Sequence, residues 1–598
     1  MTIKAQFCQQ ESLGPITKAL IGVCLLIFMC AAAVAWPRGN SRDQVTNSLA
    51  AESLPSAQSD PKYDIIIKNG HVIDGTGNPW YAGDVGISGD RVVALGNLKN
   101  ASAKRVIDAT GLVVTPGFID MLGQSELALL IDNRSPSKLS QGITSEITGE
   151  GASITPQNER TLAPMRSALE HYHVKVDWSD LDGYFQRLEK KGTPINLGTY
   201  VGAAQVRQAI LSDVNRAPTP AELEQMESLV AQSMQQGALG LSTSLIYPPG
   251  HYAKTDELIA LAKVAAQYGG IYATHMRSEG HSEMQAVDET IRIGREANLP
   301  VEIFHLKVAG KSSWGHMPDL IAKIQAARDS GLDIAADMYP YLAGGTALSS
   351  ALPPWAADGG MDKLLERLRD PATRKLIAQE MGAPHQGWEN LYYYCGGGAG
   401  VMISSVLNPD LNKYTGKTVA EMAKDEHKPE MDALFDLILA DRGQTGALYF
   451  MASESDLQYG LTQPWTSIGL DANVTALDGL LFEPHTHPRG WGSMPRFLGH
   501  YARDLHLLPL ETAIRKITSL PAQRVHLVGR GLLKPGFFAD ITVFDPAKII
   551  DGATYAQPNQ ASLGMEYVFV NGQLEYEQGR LTGAMAGRPL RGLARHNN

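Results

Sequence analysis

Eight short apolar runs, separated by stretches with helical periodicity, constrain the fold of this chain more than any other feature. Buried parallel strands form such near-continuous apolar runs, and helices cover the outside of the sheet. Segments such as DELIALAKVAAQYG and MPDLIAKIQAARDSG have the apolar spacing of covering helices. The eight runs are VVTPGFIDML, GITSEITGE, INLGTYVG, ALGLSTSLIY, IYATHM, VEIFHL, DIAADMY and TSIGLD. Because eight strands close a β/α barrel, the sequence predicts an α/β fold with a (β/α)8 TIM-type barrel over residues 116–525.

β-rich segments with frequent turns flank the predicted barrel on both sides. Residues 62–115 contain YDIIIKNGHVIDGTG and DVGISGDRVVALG, and residues 526–598 contain KPGFFADITVFD and MEYVFVNGQLEYEQG. We predict that the two segments pair into one small β-sandwich, followed by a C-terminal tail. The stretch from about 352 to 449, before the eighth run, is predicted to be an insertion that forms a lid or a subdomain.

The first 61 residues have the composition of a leader and a tether. Lys4 and Lys18 precede an apolar run over residues 19–35 that ends in small residues. This pattern predicts a signal peptide or a membrane anchor at residues 1–36, followed by a flexible linker at 37–61. The body is therefore expected to be exported, either periplasmic or attached to the membrane through this segment alone.

Charge and cysteine content exclude several classes of function. The chain has 52 Lys and Arg against 63 Asp and Glu, a formal net charge of -11, so it lacks the basic footprint of a nucleic-acid-binding protein. Three of the four cysteines lie in the leader, which leaves Cys395 alone in the body. An intramolecular disulfide and a thiolate metal cluster are therefore excluded there.

Four residues with metal-ligating side chains end four of the predicted strands. Glu150 closes the second run, His275 the fifth, His305 the sixth and Asp471 the eighth. Each alone would more often be a core histidine or a helix cap. The carboxyl ends of barrel strands meet at one mouth, however, and two imidazoles with carboxylates can hold a divalent ion. The set of four therefore predicts a metal site.

A series of motifs resembles the N-acyl-D-amino-acid deacylases of the amidohydrolase superfamily. The motifs are GDRVVALG, GLVVTPGFID, QGIT, YATHMRSEG, FHLKVAG, YPY and HPRGWGSMPRFLG, and the match runs from about Tyr63 to beyond Asn571. The resemblance implies a zinc site formed by Glu150, His275, His305 and Asp471, in which Asp471 also works as the catalytic base. It also implies substrate contacts at Tyr247, Lys307 and Tyr339, with Arg277 and Arg489 as candidates for binding a substrate carboxylate.

The sequence departs from the family pattern at the first and second strands. Leu122 and Gln124 stand where the family has His-x-His, and Glu150 stands where a cysteine is common. We therefore predict one divalent metal, Zn²⁺, with Mn²⁺ or Fe²⁺ as alternatives because a carboxylate is a harder ligand than a thiolate. Another His-x-His at 485–487 is interpreted as part of a lid loop, with His487 as a further substrate contact.

The reaction implied by the resemblance is hydrolysis of a linear amide bond, namely deacylation of N-acyl-D-amino acids. A metal-activated water would attack the acyl carbon, with Asp471 as general acid and base. The expected partner is a small N-acyl amino acid or a related amide. Two alternatives stay open from the sequence: an amidohydrolase acting on a cyclic amide or a dipeptide, and a catalytically degenerate exported binding protein.

Overall fold

The computed structural model of the protein describes residues 62–384 and 387–596. The predicted leader at 1–36 and linker at 37–61 lie outside these residues. Within the described ranges, no helix combines the length and the apolarity needed to cross a membrane.

Five strands form the N-terminal part of a nine-stranded mixed sheet. They are β1 (Tyr63–Val72), β2 (Tyr81–Ser88), β3 (Arg91–Gly96), β4 (Ala103–Asp108) and β5 (Val113–Pro116). β1 pairs antiparallel with β2 and parallel with β4 and β5. Residues that alternate along β1 and β2, among them Ile67, Val85 and Ile87, are buried in a small apolar core of this sheet.

Short parallel strands alternate with helices over the next 220 residues or so. The strands are β6 (Phe118–Asp120), β7 (Ile143–Thr148), β8 (Asn196–Thr199), β9 (Val201–Gly202), β10 (Gly240–Ser244), β11 (Ile271–His275), β12 (Val301–Ile303) and β13 (Ile334–Met338). The helices are α1 (Ala128–Ile131), α2 (Pro136–Leu139), α3 (Glu159–Leu162), α4 (Arg166–His171), α5 (Leu181–Lys191), α6 (Ala203–Leu211), α7 (Pro220–Gln235), α8 (Thr255–Gln267), α9 (Glu283–Ala297) and α10 (Met317–Asp329). Every residue of these eight strands is buried, as expected for parallel strands covered on both sides.

The segment before the last parallel strand folds around an apolar core of its own. Its strands are β14 (Ala343–Ala347), β15 (Val401–Ser405) and β16 (Gly446–Phe450), which form an antiparallel sheet in the order β14-β16-β15. Its helices are α11 (Met361–Arg369), α12 (Pro371–Met381), α13 (Leu391–Tyr394), α14 (Val419–Asp425) and α15 (Glu430–Ala440). Their buried side chains form a cluster separate from the main core.

The C-terminal part returns to both earlier sheets. After α16 (Glu454–Thr462) comes the parallel strand β17 (Thr466–Ile468), followed by α17 (Arg489–Arg496), a π-helix (Phe497–Asp504), α18 (Leu510–Lys516) and α19 (Ser519–Arg524). The last elements are β18 (Ile541–Phe544), β19 (Met565–Val570), β20 (Gln573–Glu577), β21 (Arg580–Leu581) and α20 (Leu593–His596). Because β18 pairs with β5, the nine-stranded sheet has the order β21-β20-β19-β18-β5-β1-β2-β3, with β4 beside β1. The two terminal segments therefore share one sheet.

The parallel strands form two sheets, and backbone hydrogen bonds connect their edges. The sheets have the orders β17-β13-β12-β11-β10-β9 and β6-β7-β8. The connecting bonds are Tyr200 N to Thr148 O (2.9 Å), Leu239 N to Thr199 O (2.9 Å), Met121 N to Ile468 O (3.3 Å) and Asp471 N to Leu122 O (2.6 Å). Since all these strands run parallel, the residues that follow their carboxyl ends lie on one side of the fold.

Candidate metal centre

Three of the predicted ligands converge at the carboxyl ends of β7, β11 and β12. Glu150 lies two residues past β7, His275 is the last residue of β11, and His305 lies two residues past β12. His275 Nδ1 and His305 Nε2 lie 3.1 and 3.2 Å from the same atom, Glu150 Oε1. Their ligand atoms all lie within 4.8 Å of one another. The structure therefore brings these three predicted ligands together.

The chemistry of this donor set fits a divalent cation. Two imidazole nitrogens and a carboxylate oxygen are the ligands that zinc takes in catalytic sites, and manganese and iron(II) accept the same set. Burial raises the pKa of Glu150, but hydrogen bonds from His275 and His305 outweigh this effect and hold the pKa well below the usual range, so the carboxylate is ionised. In addition, the buried His275 Nε2 makes no hydrogen bond to any residue that the structure describes.

Gln124 and Asp471 lie beside the three-donor cluster. The Gln124 amide Nε2 donates to Glu150 Oε2 at 2.7 Å and lies 3.4 Å from Asp471 Oδ1. Asp471 itself is not among the three clustered donors, and its other oxygen, Oδ2, pairs with Arg489 Nη1 at 2.7 Å. The predicted base thus lies near the donor set, while its predicted role as a further ligand has no support in this geometry.

A cavity of about 740 Å³ opens over the donor set. It is lined by Glu150, His275, His305 and Asp471 and by five of the residues predicted to contact a substrate, namely Tyr247, Lys307, Tyr339, His487 and Arg489. Part of the wall comes from β14–β16 and their connections, including Thr346, Ser404 and Tyr449. Sequence analysis predicted an insertion here but could not assign it to the cavity wall.

Arg277 is the one predicted substrate contact that the structure turns away from the cavity. Its guanidinium pairs with Glu289 at 2.8 Å and donates to the backbone oxygens of His251 and Ala253. Arg277 is also missing from the residues that line the cavity. Its position two residues past a strand end suggested the mouth, but the side chain is fully used by an ion pair and two carbonyls. The predicted contact is therefore not supported.

Aromatic rings and Arg489 form one side of the cavity. The Arg489 guanidinium lies 4.6 Å from the centre of the Tyr339 ring, and the Tyr247 ring lies 5.4 Å from that of His275. Burial and the negative charge of Glu150 raise the pKa of Tyr247 well above its usual value, so its hydroxyl stays a hydrogen-bond donor at neutral pH. His487 bonds Ala343 O and Arg489 N with its two ring nitrogens, which leaves only its carbon edge for a substrate.

Two buried acids beside the histidines were missed by sequence analysis. Glu279 contacts both His305 and Lys307, and the insertion residue Glu389 accepts a hydrogen bond from the backbone of Glu279. Burial raises the pKa of Glu389 to about 8, and the neighbouring charge of Glu279 adds to the shift. The spacing of Glu279, four residues after His275 in the motif THMRSEG, was the one available signal. Glu389 lies 110 residues from Glu279 in the sequence, and no local sequence pattern predicts their contact.

Comparison with known sequences decides the family. The sequence profile of the amidohydrolase family matches residues 105–576. The chain belongs to the amidohydrolase family. A D-aminoacylase from Alcaligenes xylosoxydans xylosoxydans is 36% identical to this amidohydrolase over 538 residues, which cover 89% of this chain and 99% of that protein.

Solved structures of two relatives are similar over most of their length. An N-acyl-D-glutamate deacylase from Bordetella bronchiseptica, in complex with zinc and a phosphonate that mimics the tetrahedral intermediate, has a TM-score of 0.74 and 30% identity and covers 89% of this chain and 100% of its own. A D-aminoacylase, whose binuclear metal centre shows activation by one metal and attenuation by a second, has a TM-score of 0.73 and 34% identity and covers 88% and 100%. The resemblance to N-acyl-D-amino-acid deacylases is thus confirmed, and so is an α/β fold of their type.

Proposed function

We propose that this amidohydrolase removes the acyl group from N-acyl-D-amino acids by hydrolysis of the amide bond. The observation that carries the proposal is the three-donor cluster of Glu150, His275 and His305, which shares one cavity with the ion pair of Asp471 and Arg489. The relatives of known activity act on N-acyl-D-amino acids and match nearly the whole described chain. An arginine in the same cavity as the donor set suits a substrate that carries a carboxylate.

One divalent metal, Zn²⁺ with Mn²⁺ or Fe²⁺ as alternatives, would be held by Glu150, His275 and His305. When bound, such an ion polarises the scissile carbonyl and lowers the pKa of a water ligand towards neutrality. A second ion is not proposed, because Leu122 is buried as an apolar side chain and Gln124 already bonds Glu150. The residues that follow β6, the first strand of the predicted barrel, thus support the proposal of a single metal.

The remaining chemistry falls to residues around the donor set. Asp471 takes a proton from the attacking water and returns it to the departing amine nitrogen. Tyr247 donates a hydrogen bond to the oxygen on which negative charge develops, since its hydroxyl keeps its proton. Arg489, whose Nη1 pairs with Asp471 and whose Nη2 donates to Gly345 O, binds the substrate carboxylate with its remaining N–H groups. The Tyr339 ring supports the guanidinium from one side.

The proposal is tested by metal content and stereoselectivity measured on the same preparation of the full-length chain. We expect about one zinc, manganese or iron per chain, together with hydrolysis of N-acetyl-D-amino acids and little hydrolysis of their L-enantiomers. Hydrolysis of a cyclic amide or a dipeptide in place of these substrates would favour the related amidohydrolase activities. A chain with neither metal nor turnover would favour the alternative of a catalytically degenerate exported binding protein.

Replacement of Arg489 by lysine should raise KM for N-acetyl-D-amino acids by about tenfold or more, because an ammonium cannot form the two parallel hydrogen bonds of a guanidinium. KM is measured for each substrate and for its C-terminal amide, which lacks the carboxylate and should be much less affected. Arg277→Gln is the matched control, since Arg277 lies outside the cavity wall. An equal rise in KM for acid and amide, or the same rise in Arg277→Gln, would contradict the role of Arg489.

We further propose that the parallel strands close into the eight-stranded barrel predicted for residues 116–525. The backbone hydrogen bonds between the edges of the two parallel sheets support closure, with β8 and β9 acting as one interrupted strand. The nine-stranded sheet of residues 62–115 and 526–598 would fold as the sandwich, and residues 352–449 would form the inserted subdomain. The separate apolar cores of these parts support the division.

The body is proposed to be exported, because residues 1–36 have the charge and length pattern of a signal peptide or an anchor. Mass spectrometry of the N-terminus of the mature protein distinguishes the two forms. A chain that begins at Trp36 and is released from the membrane would mean cleavage after Ala35. An intact leader in the membrane fraction would mean an anchor, and an intact leader in the cytosolic fraction would contradict export.

A further inference from the structure

His275 and His305 each have one ring nitrogen that does not face Glu150, and these two nitrogens both lie near the buried carboxylate of Glu279. His305 Nδ1 lies 2.9 Å from Glu279 Oε1, and His275 Nε2 lies 3.8 Å from Glu279 Oε2. The first distance is that of a hydrogen bond, whereas the second is an ion-pair distance without a hydrogen bond. Glu279 is 2% exposed and contributes to the lining of the cavity.

The protonation chemistry of imidazole gives this arrangement a consequence for metal binding. A neutral imidazole has one nitrogen with a lone pair and one that carries hydrogen. If His275 Nδ1 and His305 Nε2, the atoms that face Glu150, bind a metal, then His275 Nε2 and His305 Nδ1 must carry the hydrogens. Both hydrogens then need an acceptor, and a buried N–H without an acceptor costs about 1–3 kcal/mol.

We propose that Glu279 is a positioning residue that fixes both metal-binding histidines in the tautomer and orientation required to hold the ion. The inference rests on the proposed metal centre and adds to it a residue that does not touch the metal or the substrate amide. One carboxylate would accept from both rings at once, so the two ligands are oriented together and not independently.

Lys307 lies where it could favour the other tautomer of His305. Its Nζ lies 2.7 Å from Glu279 Oε1 and also 2.7 Å from His305 Nδ1. An ammonium only donates, so a hydrogen bond from Lys307 to His305 Nδ1 would force the hydrogen onto Nε2 and block metal binding. With Glu279 present, the ammonium is held by the carboxylate, and Nδ1 can donate to the same carboxylate. Glu279 thereby also keeps Lys307 from selecting the wrong tautomer.

The inserted segment holds the loop that carries Glu279. The backbone N–H of Glu279 donates to Glu389 Oε2 at 3.1 Å, and that of His281 donates to the Tyr394 hydroxyl at 3.1 Å. The Tyr394 ring also packs against Gly280, where a Cβ would come within 2.6 Å of a ring carbon. On the other side, Ala309 N donates to Glu279 O at 2.7 Å. Glu279 is therefore held in place by its backbone as well as by its side chain.

The test compares zinc affinity in two variants that break the same ion pair from opposite sides. Zinc Kd is measured by competition with a chromophoric chelator on the full-length chain. Glu279→Gln should raise Kd about 10- to 100-fold, because the amide cannot accept from both rings. Lys307→Met should leave Kd within about threefold, because Glu279 remains and the competing donor is gone. Glu289→Gln, which breaks the nearby pair with Arg277, is the matched control and should leave Kd unchanged.

A purely structural role predicts a different pattern, since both Glu279→Gln and Lys307→Met would then weaken zinc binding equally. That result, or an unchanged Kd in Glu279→Gln, would overturn the inference. Cobalt(II)-loaded protein gives a second readout, because its visible absorption should change in Glu279→Gln and not in Glu289→Gln if the imidazoles reorient.

The proposal of the metal centre itself is tested separately by Glu150→Ala, which removes a proposed ligand. Weak binding in Glu150→Ala with a normal Kd in Glu279→Gln would overturn only the role of Glu279. Absence of zinc binding in the natural chain, with no difference in Glu150→Ala, would overturn the metal centre and the positioning role together.

Discussion

Asp471→Asn should lower kcat/KM for N-acetyl-D-amino acids by about 10³-fold or more while the chain keeps its metal. The carboxylate is the only group in the proposed mechanism that moves a proton, first from water and then to the amine. An amide of the same shape can do neither. Metal should be retained, because Asp471 stands outside the cluster of Glu150, His275 and His305.

The substitution is a fair test because asparagine suits the backbone at this position. Asp471 has a φ of +52°, in the left-handed region that asparagine tolerates better than most residues. The asparagine Oδ1 can still accept from Arg489, and the backbone bond from Asp471 N to Leu122 O does not involve the side chain. A large loss of activity would therefore reflect the lost proton transfer and not a lost fold.

Activity and metal content are measured on the same samples across pH. Asp551→Asn is the matched control, since Asp551 also pairs with an arginine, Arg496, but does not line the cavity. Its kcat/KM should stay within about threefold of the natural chain. If Asp471→Asn kept more than a tenth of the activity at full metal content, another group would be the base.

The three residues at the centre of the site could be predicted from the sequence because the ends of the strands could be located from the apolar runs. Glu150, His275 and His305 each lie at or just past the end of a predicted strand, and the carboxyl ends of parallel strands share one side of the sheet. The prediction therefore needed only the positions of the strands. The same logic placed Asp471 at this mouth, whereas Arg489 was suggested only by the family resemblance, and both residues line the cavity.

The residues around the centre lie in loops of less regular geometry, and their side-chain directions could not be predicted from the sequence. Arg277 and Lys307 each lie two residues past a histidine of the donor set, yet Lys307 enters the cavity and Arg277 turns to Glu289. Spacing cannot distinguish them, because the backbone leaves its regular strand geometry there; His305, for example, has a φ of +34°. The role of Glu389 could not be predicted for another reason. This residue belongs to the inserted segment, which has its own core, and it reaches the site only through tertiary contact with Glu279.

An ion cluster with no exposed side-chain atom links the carboxyl end of β6 to the loop after β17. Lys138 Nζ lies 2.7 Å from Asp120 Oδ2, 3.3 Å from Glu146 Oε1 and 2.9 Å from the carbonyl of Ala472, next to Asp471. All three charged side chains are fully buried. Burial raises the pKa values of Asp120 and Glu146, and the charge of Lys138 opposes that rise.

Lys138→Met should lower the free energy of unfolding by about 3–5 kcal/mol, because it leaves two buried carboxylates without a cation. The loss should be larger at pH 8 than at pH 5. Without Lys138 the pKa values of Asp120 and Glu146 rise further above their unfolded values, and a raised carboxyl pKa gives stability at low pH that is lost as pH rises through the folded-state pKa. Urea unfolding at both pH values measures the change.

Two further variants separate the buried charge from the loss of a lysine side chain. Lys417→Met removes an exposed lysine that pairs with Asp425, and it should cost about 1 kcal/mol or less with little dependence on pH. Lys138→Met combined with Asp120→Asn should recover part of the lost stability, since asparagine removes a charge but its Oδ1 still accepts from the backbone of Leu122 and Leu470. If the double variant were less stable than Lys138→Met alone, uncompensated charge would not be the cause. The lysine would then act through packing beneath the site.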